Sequence, residues 1–231
     1  MHGFFPYYFD PTYLILVPAL IISFWAQTKV SSAYDKYSRV RTMNGYTGEQ
    51  IARMILNDAG LYDIPIEVVN SRLGDHYDPK NRVLRLSPDV YSGTTIAAAG
   101  IAAHEVGHAI QHKESYGPLA FRNSIYPVVN ISSTFSWVLF IAGLILAIKP
   151  LVYFGIILFS AVVLFQLVTL PVEFNASNRA LKILNTRGIL YGDEVKGAEK
   201  VLDAAAMTYV AATLMAVSQL IRLIALSRRN D

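Results

Sequence analysis

"ISSTFSWVLFIAGLILAIKPLVYFGIILFSAVVLFQLVTL", residues 131–170, decides what kind of molecule this is. Its only strongly polar members are Lys149 and Gln166, and Lys149-Pro150 divides it into two apolar runs, Ile131 to Ile148 and Leu151 to Leu170. A helix needs roughly 17 to 25 apolar residues to cross a bilayer, so both runs are long enough. The stretch reads as a hairpin of two membrane helices that leaves one face of a membrane and returns to it.

Two further apolar stretches lie outside the hairpin. Pro11 to Gln27, "PTYLILVPALIISFWAQ", is followed by Lys29, Lys36, Arg39 and Arg41. Residues 1–10 hold no Lys or Arg, and no small-x-small cleavage site follows, so this is a retained anchor rather than a secretory signal. Ala204 to Leu226 carries Thr208, Thr213, Gln219 and Arg222 among its alanines. It reads either as a fourth span or as a helix packed on the rest of the chain. Hydrophobic residues make up 53% of the sequence and charged residues 16%. A soluble domain carries about 25% charged residues, so the composition also points to a membrane.

Positive charge gathers on one side of these spans. The positive-inside rule places residues 28–130 in the cytoplasm. The hairpin then brings residues 171–203 back to the same side, with Arg179, Lys182, Arg187, Lys196 and Lys200. The expected division is an anchor at 1–27, a domain at 28–130, the hairpin at 131–170, a returning segment of that domain at 171–203, and a hydrophobic helix with its tail at 204–231. The net charge of +3 is not concentrated in a stripe, which argues against nucleic acid. No cysteine is present, so there is no disulfide framework, and any metal must use nitrogen and oxygen ligands.

The segment 28–130 reads as α+β. Thr47-x-x-Gln50 is a capping-box signature for a helix ending near Gly60. Ile64–Val69 and Arg82–Ser87 read as strands, with turn residues Asp78-Pro79-Lys80-Asn81 ahead of the second and His76 assigned to a turn. Thr94 or Thr95 caps a helix from Ile96 to about Lys113.

That helix carries His104-Glu105-Val106-Gly107-His108. Residues i and i+4 share a helix face, so both imidazoles can converge on one ion, and Glu105 can take a proton from a water activated there. The pattern arises by chance in roughly one ordinary chain in a hundred, so a third ligand has to support it. His112 lies two turns from His104, about 12 Å along the axis, and cannot close the same coordination sphere. His112 and Glu114 read as helix-end side chains, and His2 belongs to the N-terminal tail. Glu173, in "LPVEFNASNRALKIL", stands just past the hairpin on the returning side. Read alone it could be a charge at the membrane–water boundary; read with the histidines it is the favoured candidate for the third ligand. Ser177 or Asn175 could accept the second N–H of a ligating histidine. Arg179 could stabilise an oxyanion, or pair with a carboxylate or lipid headgroup. The strand Arg82–Ser87 could be an ordinary sheet strand or the edge that pairs with an extended substrate.

The pairing of "HEVGHAIQH" with "PVEFNAS" across a membrane hairpin, together with "HYDPKNRVLRLSP", resembles the YugP-type family of bacterial membrane zinc metallopeptidases over nearly the whole chain. It is more distantly similar to HtpX-type membrane proteases, from which it departs at Ser177, where that family has Asp. The resemblance implies an α+β membrane protein: a helical membrane anchor and hairpin bearing a small zincin-like, gluzincin-like metalloprotease domain in the cytoplasm. It implies one Zn2+ per chain held by His104, His108 and Glu173, with Glu105 as general base and acid. The implied partners are polypeptide substrates and the lipid bilayer of a bacterial cell membrane, crossed several times; homo-oligomerisation stays open. The competing readings are an intramembrane zinc protease, in which residues 94–110 also span, and a non-catalytic metal-binding membrane scaffold. A transporter is disfavoured because the hairpin lacks an inverted repeat and holds few polar groups.

Overall fold

The apolar hairpin is the longest feature of the computed structural model, which describes residues 10–71 and 74–229. Eleven elements succeed one another in these residues, beginning with a 3-10 turn at Pro11–Leu16. Helices α1 (Val17–Tyr37) and α2 (Gly48–Asp58) follow, then strands β1 (Ile66–Val68), β2 (His76–Asp78) and β3 (Val83–Leu86). The remaining helices are α3 (Pro88–Tyr91), α4 (Ile96–Lys113), α5 (Gly117–Ile145), α6 (Lys149–Thr186) and α7 (Asp193–Arg229). The chain is therefore mostly helical, with one small sheet. His2 lies outside the described residues.

Four of these helices, 11–37, 117–145, 149–186 and 193–228, are long and apolar enough to cross a membrane. The Ile131–Ile148 and Leu151–Leu170 runs are the cores of α5 and α6. They meet at a tight turn in which Ala147 adopts a φ of 55°. Helices α5 and α6 approach closely at Gly155, where a Cβ would lie 2.8 Å from the Ser136 carbonyl oxygen. Phe140, Val152, Phe159 and Val163 pack there with Ala216 and Leu223 of α7. On the outside, Phe24, Ile145 and Ile157 are 78%, 77% and 63% exposed, an apolar surface of the kind that a membrane covers.

The elements run past the expected boundaries. Helix α6 passes without interruption through Pro171, so the third apolar run and the helix bearing Glu173 are one element. A proline deletes one helical hydrogen bond, a loss that packed membrane helices tolerate. Likewise α1 continues beyond Gln27 to Tyr37, and α7 begins at Asp193 and carries the Ala204–Leu226 stretch inside it.

A second buried cluster joins Tyr34 and Tyr37 of α1, most of α2 and α4, the sheet, Ala180 and Leu184 of α6, and Ala198, Val201 and Leu202 of α7. The segments before and after the hairpin thus share one core. Its local signals work as read: Thr47 and Gln50 form the reciprocal capping box of α2, and Thr95 caps α4 by accepting from the Ala98 N–H. The strand order is β1-β3-β2, with β1 parallel and β2 antiparallel to β3. His76 therefore stands in a strand and not in a turn. The turn comes two residues later, where Asp78 Oδ1 accepts from the Lys80 and Asn81 N–H groups at 3.0 and 3.1 Å. Because β3 is paired on both sides, Arg82–Ser87 cannot be the edge that receives a further strand; β2 is an edge instead.

Candidate metal centre

Helix α4 is buried on nearly every side, and small residues make that possible. Its Gly107 faces the backbone of α6 so closely that a Cβ would sit 2.8 Å from the Ala176 carbonyl oxygen. This contact sets the two histidines of α4 opposite Glu173 of α6. His104 Nε2 lies 3.4 Å and His108 Nε2 3.7 Å from Glu173 Oε2. The three residues can each offer one ligand atom within 4.8 Å of the others.

The remaining atoms of these side chains are already engaged. His104 Nδ1 shares a hydrogen bond with Ser177 Oγ at 3.1 Å, and the His108 Nδ1–H donates to Gln111 Oε1 at 3.0 Å. Both imidazoles are thereby held from behind with Nε2 facing Glu173. Arg122 Nη1 of α5 donates to Glu173 Oε1 at 3.0 Å. Glu173 Oε2 is buried and has no hydrogen-bond partner. An orphaned carboxylate oxygen in the interior is costly unless a cation satisfies it. Two neutral imidazole nitrogens and one carboxylate oxygen, each fixed from behind, are a donor set that fits Zn2+ and leaves a fourth position open.

Glu105 projects from the same helix beside the cluster. The Tyr77 N–H of β2 donates to its Oε2 at 3.1 Å. Burial pushes the Glu105 carboxyl above its ordinary range. Two cavities flank the cluster, and Asp75, His104, Glu105, Glu173 and Tyr209 line both. The larger, about 520 Å3, lies between α1 and α7; the smaller, about 200 Å3, is bounded by β2 and α5.

The four residues singled out in the sequence thus come together, and the subsidiary candidates separate. His112 does not join the cluster: its Nδ1 is 2.9 Å from the Tyr77 hydroxyl, which ties α4 to β2. Asn175 meets neither histidine, since its Oδ1 accepts from Gln111 Nε2 and Arg179 Nε at 2.9 and 2.7 Å. Arg179 also pairs with Glu114 at 2.7 Å, so it is an ion-pair residue, and it lines neither cavity. Sequence reasoning missed Gln111 and Arg122. Gln111 stands three residues beyond His108 on one helix face, a spacing that could have revealed it. Arg122 is 51 residues from its partner, and nothing local marks it.

Comparison with known proteins gives the same direction. The family model described as "Putative neutral zinc metallopeptidase" matches residues 12–228. The chain is 52% identical over 210 residues to the "Putative membrane protease YugP" of Bacillus subtilis (strain 168), covering 91% of this chain and 93% of that protein. No solved structure matches it.

Proposed function

The chain belongs to the neutral zinc metallopeptidase family, and on that premise we propose that it is a membrane-anchored, zinc-dependent endopeptidase with its site on the cytoplasmic face. His104, His108 and Glu173 would hold one Zn2+ per chain. The observation that carries the reading is the convergence of two oriented Nε2 atoms on the unpartnered Glu173 Oε2. When bound, zinc supplies Lewis acidity that polarises the scissile carbonyl and lowers the pKa of a water.

The chain's own residues then move the proton. With Oε2 held by the Tyr77 N–H, Glu105 takes a proton from the attacking water at Oε1. A C–O bond forms at the carbonyl carbon, the C–N bond breaks, and Glu105 returns the proton to the departing amine. Arg122 acts as a positioning residue: by engaging Glu173 Oε1 it keeps Oε2 directed at the histidines. The substrate backbone would lie along β2, the edge strand that touches Glu105. The zincin-like domain would comprise the 28–130 and 171–203 segments, with the hairpin inserted between them.

The test is hydrolysis of an unstructured polypeptide by the zinc-loaded full chain in detergent. Glu105→Gln should lower the rate by about 10²–10⁴-fold while keeping the metal. An equal rate in Glu105→Gln would refute the general-base assignment and favour a non-catalytic scaffold. The intramembrane alternative would need α4 to span; the packing of α4 against α2 and the sheet supports the membrane-anchored reading over it.

A further inference from the structure

The two cavities beside the metal cluster differ in what walls them. The smaller is bounded by His76, Tyr77 and Pro79 of the sheet region, together with Leu119 and Arg122 of α5. The larger is a cleft between two helices that are each apolar enough to cross a membrane. Val30 of α1, Ile101 of α4, and Val201, Leu202 and Ala205 of α7 give it an apolar wall. It reaches the surface along Gln27, Ser31 and Asp35, three exposed residues at i, i+4 and i+8 on one face of α1. The level at which it opens is marked on the same helix. Leu20, Ile21 and Phe24 are exposed apolar residues, and directly after them Lys29 Nζ lies 4.9 Å from the Trp25 ring centroid. Aromatic and cationic residues of this kind collect where lipid meets water. The cleft therefore begins at that boundary and leads to Glu105 and the metal cluster.

We propose that the substrates are membrane-embedded polypeptides, cut just beyond the end of a transmembrane helix. The apolar end of the substrate helix leaves the lipid between α1 and α7 and fills the larger cavity. The polar residues that follow pass the metal cluster and run through the smaller cavity along β2. This substrate assignment rests on the peptidase reading above. It accounts for a cavity of about 520 Å3 beside the centre, between two helices apolar enough to cross a membrane and of a size that encloses a ligand.

The experiment uses the full chain, zinc-loaded and reconstituted into phosphatidylcholine–phosphatidylglycerol vesicles. Two synthetic substrates share one flexible polar tail and are held at equal surface density. In one the tail follows a Leu/Ala transmembrane helix; in the other it follows two acyl chains. The helix-anchored tail should be cut at least about 10-fold faster, within its first few residues. Ser31→Trp, on the exposed wall, and Ala205→Leu, on the facing wall, should abolish that difference with zinc content unchanged. Equal cleavage of both substrates, or no effect of either variant, would overturn the assignment. A second readout is independent of turnover: a benzophenone at the last apolar residue of the helix is photo-crosslinked to the Glu105→Gln protein. Crosslinks to the α1 and α7 walls support the assignment, whereas crosslinks confined to the outer faces of α5 and α6 overturn it. Loss of all cleavage with α1 and α7 crosslinks retained would instead count against the peptidase reading.

Discussion

Gln111 does for His108 what Ser177 does for His104, yet the two supports differ in strength. Gln111 is fully buried and is itself anchored, donating from Nε2 to the Val172 carbonyl and to Asn175 Oδ1 at 2.9 Å each. It thus fixes both a histidine of α4 and the turn of α6 that presents Glu173. Outer partners of metal ligands are typically worth 10–100-fold in affinity. Gln111→Leu should therefore weaken zinc binding by about 10–100-fold, measured by competition with a chelating dye. Ser177→Ala removes one neutral acceptor and should cost less. Arg122→Ala should also weaken zinc, because Glu173 Oε1 loses its partner, and Arg122→Lys should restore part of the loss. An unchanged affinity in Arg122→Ala would remove Arg122 from the positioning role.

At the scale of elements, the centre depends on how closely α4 lies against α6. Gly107→Val would place a Cβ only 2.8 Å from the Ala176 carbonyl oxygen, with two methyl groups beyond it to accommodate. Overpacking of this kind costs about 1–3 kcal/mol, and the separation should also lower zinc affinity. The β2–β3 turn is a second sensitive element because it holds the strand that touches Glu105. Asp78 is its hub, accepting from Asn81, Lys80 and Arg85. The Asn81 side-chain hydrogen bond, aided by the Asn81 backbone and by Arg85, holds the Asp78 carboxyl at about 2. An unfolded aspartate titrates at about 3.9. The folded value is the lower one, so the contribution is fully present above about pH 4 and is lost as pH falls toward 2. Thermal scans should show the stability gap between wild type and Asp78→Ala, about 1–2 kcal/mol at neutral pH, closing over that interval. A gap that stays constant down to pH 2 would show that Asp78 acts in some other way.

How far these elements could be read in advance follows from their physics. Helix α4 was legible, with its cap narrowed to Thr94 or Thr95, because a cap, a run of small residues and the i, i+4 histidines all agree. The membrane hairpin was legible because thirty-odd ångströms of lipid demand long apolar runs. Strand β2 was not, because three residues are too few to show a period of two, and Asp78 and Pro79 read as turn formers. The continuity of α6 was hidden by Pro171, which marks an end in water more reliably than in a packed membrane helix. The site divides the same way. His104, Glu105 and His108 were local, and Glu173 was found by asking which acid returned to the right side. Arg122 had no such signal, because its role exists only once α5 folds back across α6.

For the whole molecule, the metal would link the two halves of the domain, one before the hairpin and one after it. Metal removal should therefore loosen the fold as well as stop turnover. Zinc at 1,000 times its Kd would stabilise the folded chain by about 4 kcal/mol. A chelator should accordingly lower the Tm of wild type and leave that of Glu173→Ala nearly unmoved. Orientation is testable in the same protein, since the chain contains no cysteine. Single cysteines at Arg41 and Lys113 should react from the cytoplasmic side, and one at Ala147, in the α5–α6 turn, from the other. Opposite labelling of Arg41 and Lys113 would favour the intramembrane reading.

The most direct test of the central claim is zinc stoichiometry in the purified full chain for wild type, Glu105→Gln and Glu173→Ala. The geometry predicts one zinc per chain in wild type and in Glu105→Gln, and a marked loss in Glu173→Ala. A well-folded wild type without zinc, or a Glu173→Ala protein that binds it as tightly as wild type, would contradict a centre built by His104, His108 and Glu173.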